Sequence, residues 1–427
     1  HGLAQAAQDG TILEPAVRVA LFRRYAGGTS TGRPDLRLDR RPPDSIDNRG
    51  EFWLAPRLMG FFREWFDYAE AATLFKDHPA ETSAFPSDGG QYDTAVIGYS
   101  NLQTSGNGSE STFIDQLDDL IARVVWESDA SGEDVFENLF TTRMYRVPSN
   151  VALITDTPCT DRAECSGTEV CADPPGRCAS NIYRSSYGMA WPYGIADEVR
   201  DTPEARWRLM PDNERRGVLT HPAWLAAHAG NFEDDANPIL RGKWPRTEVF
   251  CQSFGDLADV QGLQAMLVES APELSARDRV SLSTEPGEGH SENAGTCFGC
   301  HQFMNSLGYP FELFNHAGYL RAEDHGGAPD GSTVVDNLPD AALNRAYANP
   351  FEFLEAVGRS SYARRGMIRH AFRYFMGRDE QLEDQCTLAE MEAALESTGS
   401  FLSMIEALLV SETFSHRRVQ DALEGGS

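Results

Sequence analysis

Apolar residues recur along most of this chain at intervals of three and four, the spacing of one face of an α-helix, while alternation at intervals of two is weak. The pattern predicts a mainly α fold, a multi-helical scaffold. Glu14 to Tyr25 carries Val17, Ala20, Leu21 and Tyr25 on one face and stops at Gly27 and Gly28. Phe52 to Phe75 reads as a long helical region whose aromatic residues fill a core. Ser111 or Thr112 caps a helix with Phe113, Leu117, Leu120, Ile121 and Val124 on its inner face. Ser131, with Asp134 three residues on, starts a short helix that runs to Phe140. Val260 to Val268 is predicted partly helical, and Pro310 to Asn315 begins a short helix. Four segments close the chain: Phe351 to Val357, Tyr362 to Met376, Leu388 to Leu395, and Phe401 to Phe414 capped by Ser400. Polar stretches rich in Gly, Pro, Ser and Asp at 29–50, 79–110 and 322–340 read as loops.

A chain of 427 residues exceeds the size one core usually serves, so two or three packed units are expected. The pattern divides it into an N-terminal helical domain at 1–150 and a cysteine-rich insert at 151–182. A domain at 183–380 and a C-terminal helical domain at 381–427 follow. No run of about 18 apolar residues occurs, which excludes a membrane-spanning helix. The sequence begins at His1 and shows no charged leader, so it reads as a mature or trimmed product. The formal net charge of −28 is spread along the chain. It argues against nucleic acid and anionic membranes, and favours a basic redox partner if it favours any.

Cysteine changes the picture most. Cys159, Cys165, Cys171 and Cys178 crowd into a segment poor in large apolar residues, which two disulfides would hold. Alternate pairing is expected, Cys159 with Cys171 and Cys165 with Cys178, with a metal knuckle as the rival. Cys251 and Cys386 are left for a third bridge. The remaining pair lies in Cys297-Phe298-Gly299-Cys300-His301, the attachment sequence of a c-type haem. The thiols reach the two vinyl groups of the porphyrin, and the histidine is carried beneath the ring to the iron. With eight Cys and ten His, the pattern arises by chance only about 0.004 times per chain of this length. The alternatives are a redox C-x-x-C pair with an incidental histidine, or half of a zinc site, for which no nearby motif supplies the other ligands. Thioether attachment and disulfides together place the chain in the periplasm, on the outer surface or in the medium.

His301 is the proximal iron ligand on this reading, with its second ring nitrogen expected on a backbone carbonyl, for which Pro310 is the candidate. Distal candidates are Met367 and His370, one helical turn apart, with Met376 on the same helix and His290 just before the motif. Met304 is too close to His301 to cross the ring.

The residues around the motif, CFGCHQFMNSLGYPFELFNHAGYLR, resemble a family of secreted bacterial cytochrome c-like proteins built from linked domains of unknown function. The resemblance rests on C-x-x-C-H, then Leu307, Gly308, Glu312 and Phe314, then Gly318 and Arg321. ERRGVLTHPAWLAAHAGNFEDDANPILRGKW upstream, IRHAFRYFMGR and FLSMIEALLVSETFSHRR downstream, and WLAPRLMGFFREWFDYAEAATLFKDHP near the start are similar to other parts of the same pattern. The family implies an architecture and one covalent haem c, but no established reaction. Many relatives carry a Cys where this chain has Met367, which removes the partner the resemblance would give Cys386.

Three functions follow as expectations. The first is electron transfer by a mono-haem cytochrome outside the cytoplasm. The second is a haem-dependent oxidase, peroxidase or oxygenase acting on an extracellular substrate, with Arg321 and His316 as distal candidates. The third is a haem-bearing structural or cell-surface assembly subunit. A second C-x-x-C-H is absent, which excludes a dihaem peroxidase, and no hydrolase or phosphate-loop motif occurs.

Overall fold

The computed structural model describes residues 2–27, 54–68, 113–146, 154–166, 170–172, 177–179, 207–210, 212–229, 236–253, 273–292, 294–314, 318, 320–321, 324–325 and 327–415. The described chain is mainly helical, and it forms two units, each assembled from separated stretches. One comprises His1–Phe61, Ala122–Phe136 and Met367–Ser427; the other comprises Phe62–Ile121 and Glu137–Gly366.

In the first unit, polar side chains tie helix ends together. The helix Pro15–Ala26 stops at Gly27, whose φ of 84° suits glycine. Its Arg18 donates to the carbonyls of Leu409 (2.7 Å) and Leu13 (2.6 Å). Arg23 forks onto Asp129 at 2.8 and 2.7 Å, reaches Ser403 at 3.0 Å and pairs with Glu406. Gly399 ends the helix Gln385–Thr398 with φ 68°, and its carbonyl accepts from Val135 N at 2.9 Å. A Cβ there would strike the Glu133 carbonyl, so this turn requires glycine twice over. Ser400 caps the helix Phe401–Val410 by accepting from Ser403 N. That helix breaks at Ser411, before a short helix at Glu412–Ser415. Phe401 stacks on Phe61 at 5.4 Å between ring centroids.

The second unit is centred on aromatic side chains. Trp244 lies against Phe66 (5.3 Å, stacked) and Trp224 (5.5 Å, edge-on), and Phe311 contacts Trp224 at 5.5 Å. The indole N–H groups of Trp65 and Trp244 find carbonyls at Glu248 (3.1 Å) and Trp65 (2.9 Å), which removes the penalty of burying them. The helix Pro238–Trp244 is capped by Asn237 and runs into a wider turn over Pro245–Val249. Gly366 has the carbonyl of Val249 where a Cβ would stand.

Several elements differ from the sequence reading for local reasons. Asp134, not Ser131, caps the helix Val135–Thr141, accepting from Phe136 N at 2.9 Å. The helix expected to begin at Pro310 is a 3₁₀ turn over Tyr309–Leu313 that continues the short helix Asn305–Gly308. Short antiparallel ribbons also occur: Met144–Arg146 with Trp207–Leu209, and Thr333–Val334 with Ala346–Tyr347. In the cysteine-rich insert, Arg177–Ala179 lies between Ile154–Pro158 and Val170–Ala172. Ribbons this short leave no alternating pattern to read. Cys165 and Cys178 form a disulfide there, and Cys159 is disulfide-bonded too. The side chain of Cys171, its expected partner, lies outside the described residues, as does Val260 to Val268.

The third bridge is not formed. Cys386 is an exposed thiol in the first turn of Gln385–Thr398, and Cys251 is a half-buried thiol.

Candidate functional site

Residues Ala294–His301 form a short helix, and its spacing places the three chemically active residues together. Cys297 and Cys300 are three apart and Cys297 and His301 four apart, so all three share one helical face. All three are half-buried, and neither thiol is bridged to the other. Ala294 is the one buried residue of this helix. The face therefore holds two available thiols and an imidazole one turn on.

The imidazole is held from behind. His301 Nδ1 lies 3.2 Å from Asn305 Oδ1. The Asn305 amide orientation follows from its other end, where Nδ2 donates to Glu285 Oε1 at 2.9 Å and Thr284 Oγ1 at 3.0 Å. A carboxylate only accepts, so the amide nitrogen faces it and the amide oxygen faces the ring. The ring proton then sits on Nδ1, and the Nε2 lone pair is directed away from this network. The same Glu285 Oε1 accepts from Tyr309 Oη at 2.7 Å, and Oε2 accepts from Ser281 Oγ at 2.8 Å. The acceptor expected for His301 was the Pro310 carbonyl; the acceptor present is a side chain on the next turn. Pro310 instead sits in the buried turn Tyr309–Leu313.

Burial lowers the His301 pKa below the ordinary value, against smaller opposing effects of Asn305 and Glu285, so the ring is neutral at pH 7. Burial alone would raise Glu285, but hydrogen bonds from Tyr309, Asn305 and Ser281 outweigh it and hold the carboxyl below its ordinary range. Burial and the adjacent Glu285 charge push the Tyr309 phenol well up, so it stays a donor.

The chain after the motif is anchored in the unit. Gly308 passes so near Pro238 that an added Cβ would overlap the Pro238 carbonyl, and Gly242 stands in the same relation to Met304. Two glycines, one on each partner, thus let the helices Pro238–Trp244 and Asn305–Gly308 cross backbone to backbone. Arg241, fully buried, donates to the carbonyls of Phe311 (2.9 Å), Phe314 (2.7 Å) and Leu225 (3.1 Å). Thr333 Oγ1 donates to Ser306 O, and Asn337 Nδ2 to Gln302 O, both at 2.7 Å.

The other residues singled out from sequence fall as follows. Leu307 and Phe314 are core residues. Gly318 has φ 83° and packs on Pro222. Arg321 pairs with Asp324 at 3.0 Å and with the buried Glu312 at 3.7 Å. His316 lies outside the described residues. His290 Nδ1 faces the carbonyls of Glu285 (2.5 Å) and Ser281 (3.1 Å). Met367, fully buried, belongs with His370 and Met376 to the first unit, whereas the motif belongs to the second. Asn305 and Glu285 were not singled out; the signal for Asn305 was its position four residues after His301, across the turn that joins their two helices.

Two family models match the chain. A family described as a protein of unknown function (DUF1588) matches residues 215–324, which include the motif helix, both crossing glycines and Arg241. A second family so described (DUF1585) matches residues 344–414. The chain thus carries linked domains of unknown function. No curated protein and no solved structure matches it.

Proposed function

We propose that this protein is an extracytoplasmic mono-haem c-type cytochrome that transfers electrons. One observation carries the proposal: two unbridged thiols and a neutral, oriented imidazole share one face of the helix Ala294–His301. This donor set fits a covalent haem. Cys297 and Cys300 would hold the group, each through one thioether made by adding its S–H across a vinyl double bond, with nothing lost. His301 would be the ligand through Nε2, because Nδ1 is engaged by Asn305. When bound, the group supplies a one-electron couple. The disulfide Cys165–Cys178 supports the same oxidising compartment that thioether attachment requires. The charge of −28 supports a basic redox partner. The enzyme reading has less support, because its candidate Arg321 is bound to two carboxylates.

The test is expression in a host with haem c maturation, followed by intact-mass and alkaline pyridine spectroscopy. The expected result is a mass increased by one haem and a reduced spectrum of the thioether type, both lost in Cys297→Ala/Cys300→Ala. A chain of unmodified mass overturns the proposal. Rapid binding of carbon monoxide or cyanide by the loaded protein favours the oxygenase or peroxidase class over the carrier.

A further inference from the structure

We infer that Asn305 is a positioning residue for the His301 imidazole and that Glu285, acting through the Asn305 amide, tunes the electron density of that ring. The inference rests on the haem reading above and assigns its site an electrostatic control. The chain of contacts is continuous: Glu285 Oε1 to Asn305 Nδ2 at 2.9 Å, then Asn305 Oδ1 to His301 Nδ1 at 3.2 Å. A negative charge at the amide nitrogen end polarises the amide and makes its oxygen a stronger acceptor. A stronger acceptor at Nδ1–H makes Nε2 more basic. A more basic axial nitrogen favours ferric iron and lowers the potential. Glu285 is fixed for this role, since Tyr309 and Ser281 donate to its two oxygens. Thr284 Oγ1, the second acceptor for Nδ2, fixes the amide plane. A backbone carbonyl would orient the ring as well, but with no ionised group behind it.

Potentiometry on the haem-loaded chain tests the relay. Glu285→Gln keeps the size and the acceptor while removing the charge. It is expected to move the ferric-to-ferrous ratio about tenfold toward ferrous at fixed potential, an upward shift of about 59 mV for a one-electron couple. Glu288→Gln, which removes the same charge from an exposed loop position three residues on, is expected to shift the ratio less than twofold. Equal midpoints in the two variants at equal haem content overturn the relay. A second arm needs no haem: ¹⁵N NMR of the full chain carrying Cys297→Ala/Cys300→Ala reads the His301 tautomer. The Nδ1–H form is expected, and Asn305→Leu should return the ring to a tautomer mixture. A ring already protonated on Nε2 before that substitution removes Asn305 from the role. Wild-type chain without covalent haem would instead defeat the attachment reading, and the NMR arm would still decide the Asn305 contact.

Discussion

The helix Ala294–His301 and the run Leu307–Glu312 are separated by a single turn, yet they are built on opposite principles. The helix buries Ala294 alone and leaves both thiols and the imidazole half-open. Every residue from Leu307 to Glu312 is buried, crossed by another backbone at Gly308 and held through Phe311 by the guanidinium of Arg241. Groups that must form bonds to something outside the chain need access, and access forgoes the apolar burial that fixes position. The neighbouring run supplies the rigidity instead, and Asn305 and Tyr309 transmit it to His301 through Glu285.

This contrast is breakable. The largest effect is expected from Gly308→Ala, whose new methyl group would overlap the Pro238 carbonyl. Backbone cannot yield as a flexible side chain does, so we expect a loss of about 3 kcal/mol or more in urea denaturation. Wild-type stability in that variant would show that the crossing is not the anchor. Next is Arg241→Met, which leaves three buried carbonyls without their charged donor. It should cost about 2–3 kcal/mol in the same measurement. Tyr309→Phe removes one hydrogen bond to an ionised partner and should cost about 1.5 kcal/mol.

Glu285 adds a pH signature. Its folded pKa is depressed below the ordinary 4.5, so its contribution is complete above that value and is lost as pH falls through the lower, folded one. Glu285→Gln should therefore flatten the acid limb of the stability curve below pH 4.5, and an unchanged limb would count against the network. The smallest effect has the opposite sign. Gly299 lies within the motif helix with open space where a Cβ would go. Gly299→Ala should raise stability by about 0.5–1 kcal/mol. Two glycine-to-alanine changes nine positions apart would then move stability in opposite directions.

What was legible in the sequence follows from what fixes spacing. Cys297, Cys300 and His301 stand out because their C-x-x-C-H spacing rarely arises by chance. Helix signals at Glu14 to Tyr25 and Tyr362 to Met376 were readable because several apolar residues repeat on one face; the helices span Pro15–Ala26 and Ser361–Met376. The break at Ser411 was not, since the apolar pattern continues across it to Phe414. Asn305 was marked only by its place four residues after His301, and its link to Glu285, twenty residues earlier, follows no local rule. Gly308 appeared in the resembled pattern, but its reason, a partner at Pro238, exists only in three dimensions. The expected Cys251–Cys386 bridge rested on counting leftover sulfurs, which carries no geometry; Cys386 faces solvent.

On the proposed haem reading, the sparse burial of the motif helix bears on the order of events during maturation. An eight-residue helix with one buried side chain is expected to open at lower free energy than the fully buried run beside it. A ligase that must grip an unfolded C-x-x-C-H peptide would find it by local fraying of an otherwise finished domain. On that reading, attachment can follow folding, and the porphyrin would clamp a helix that the polypeptide itself buries little.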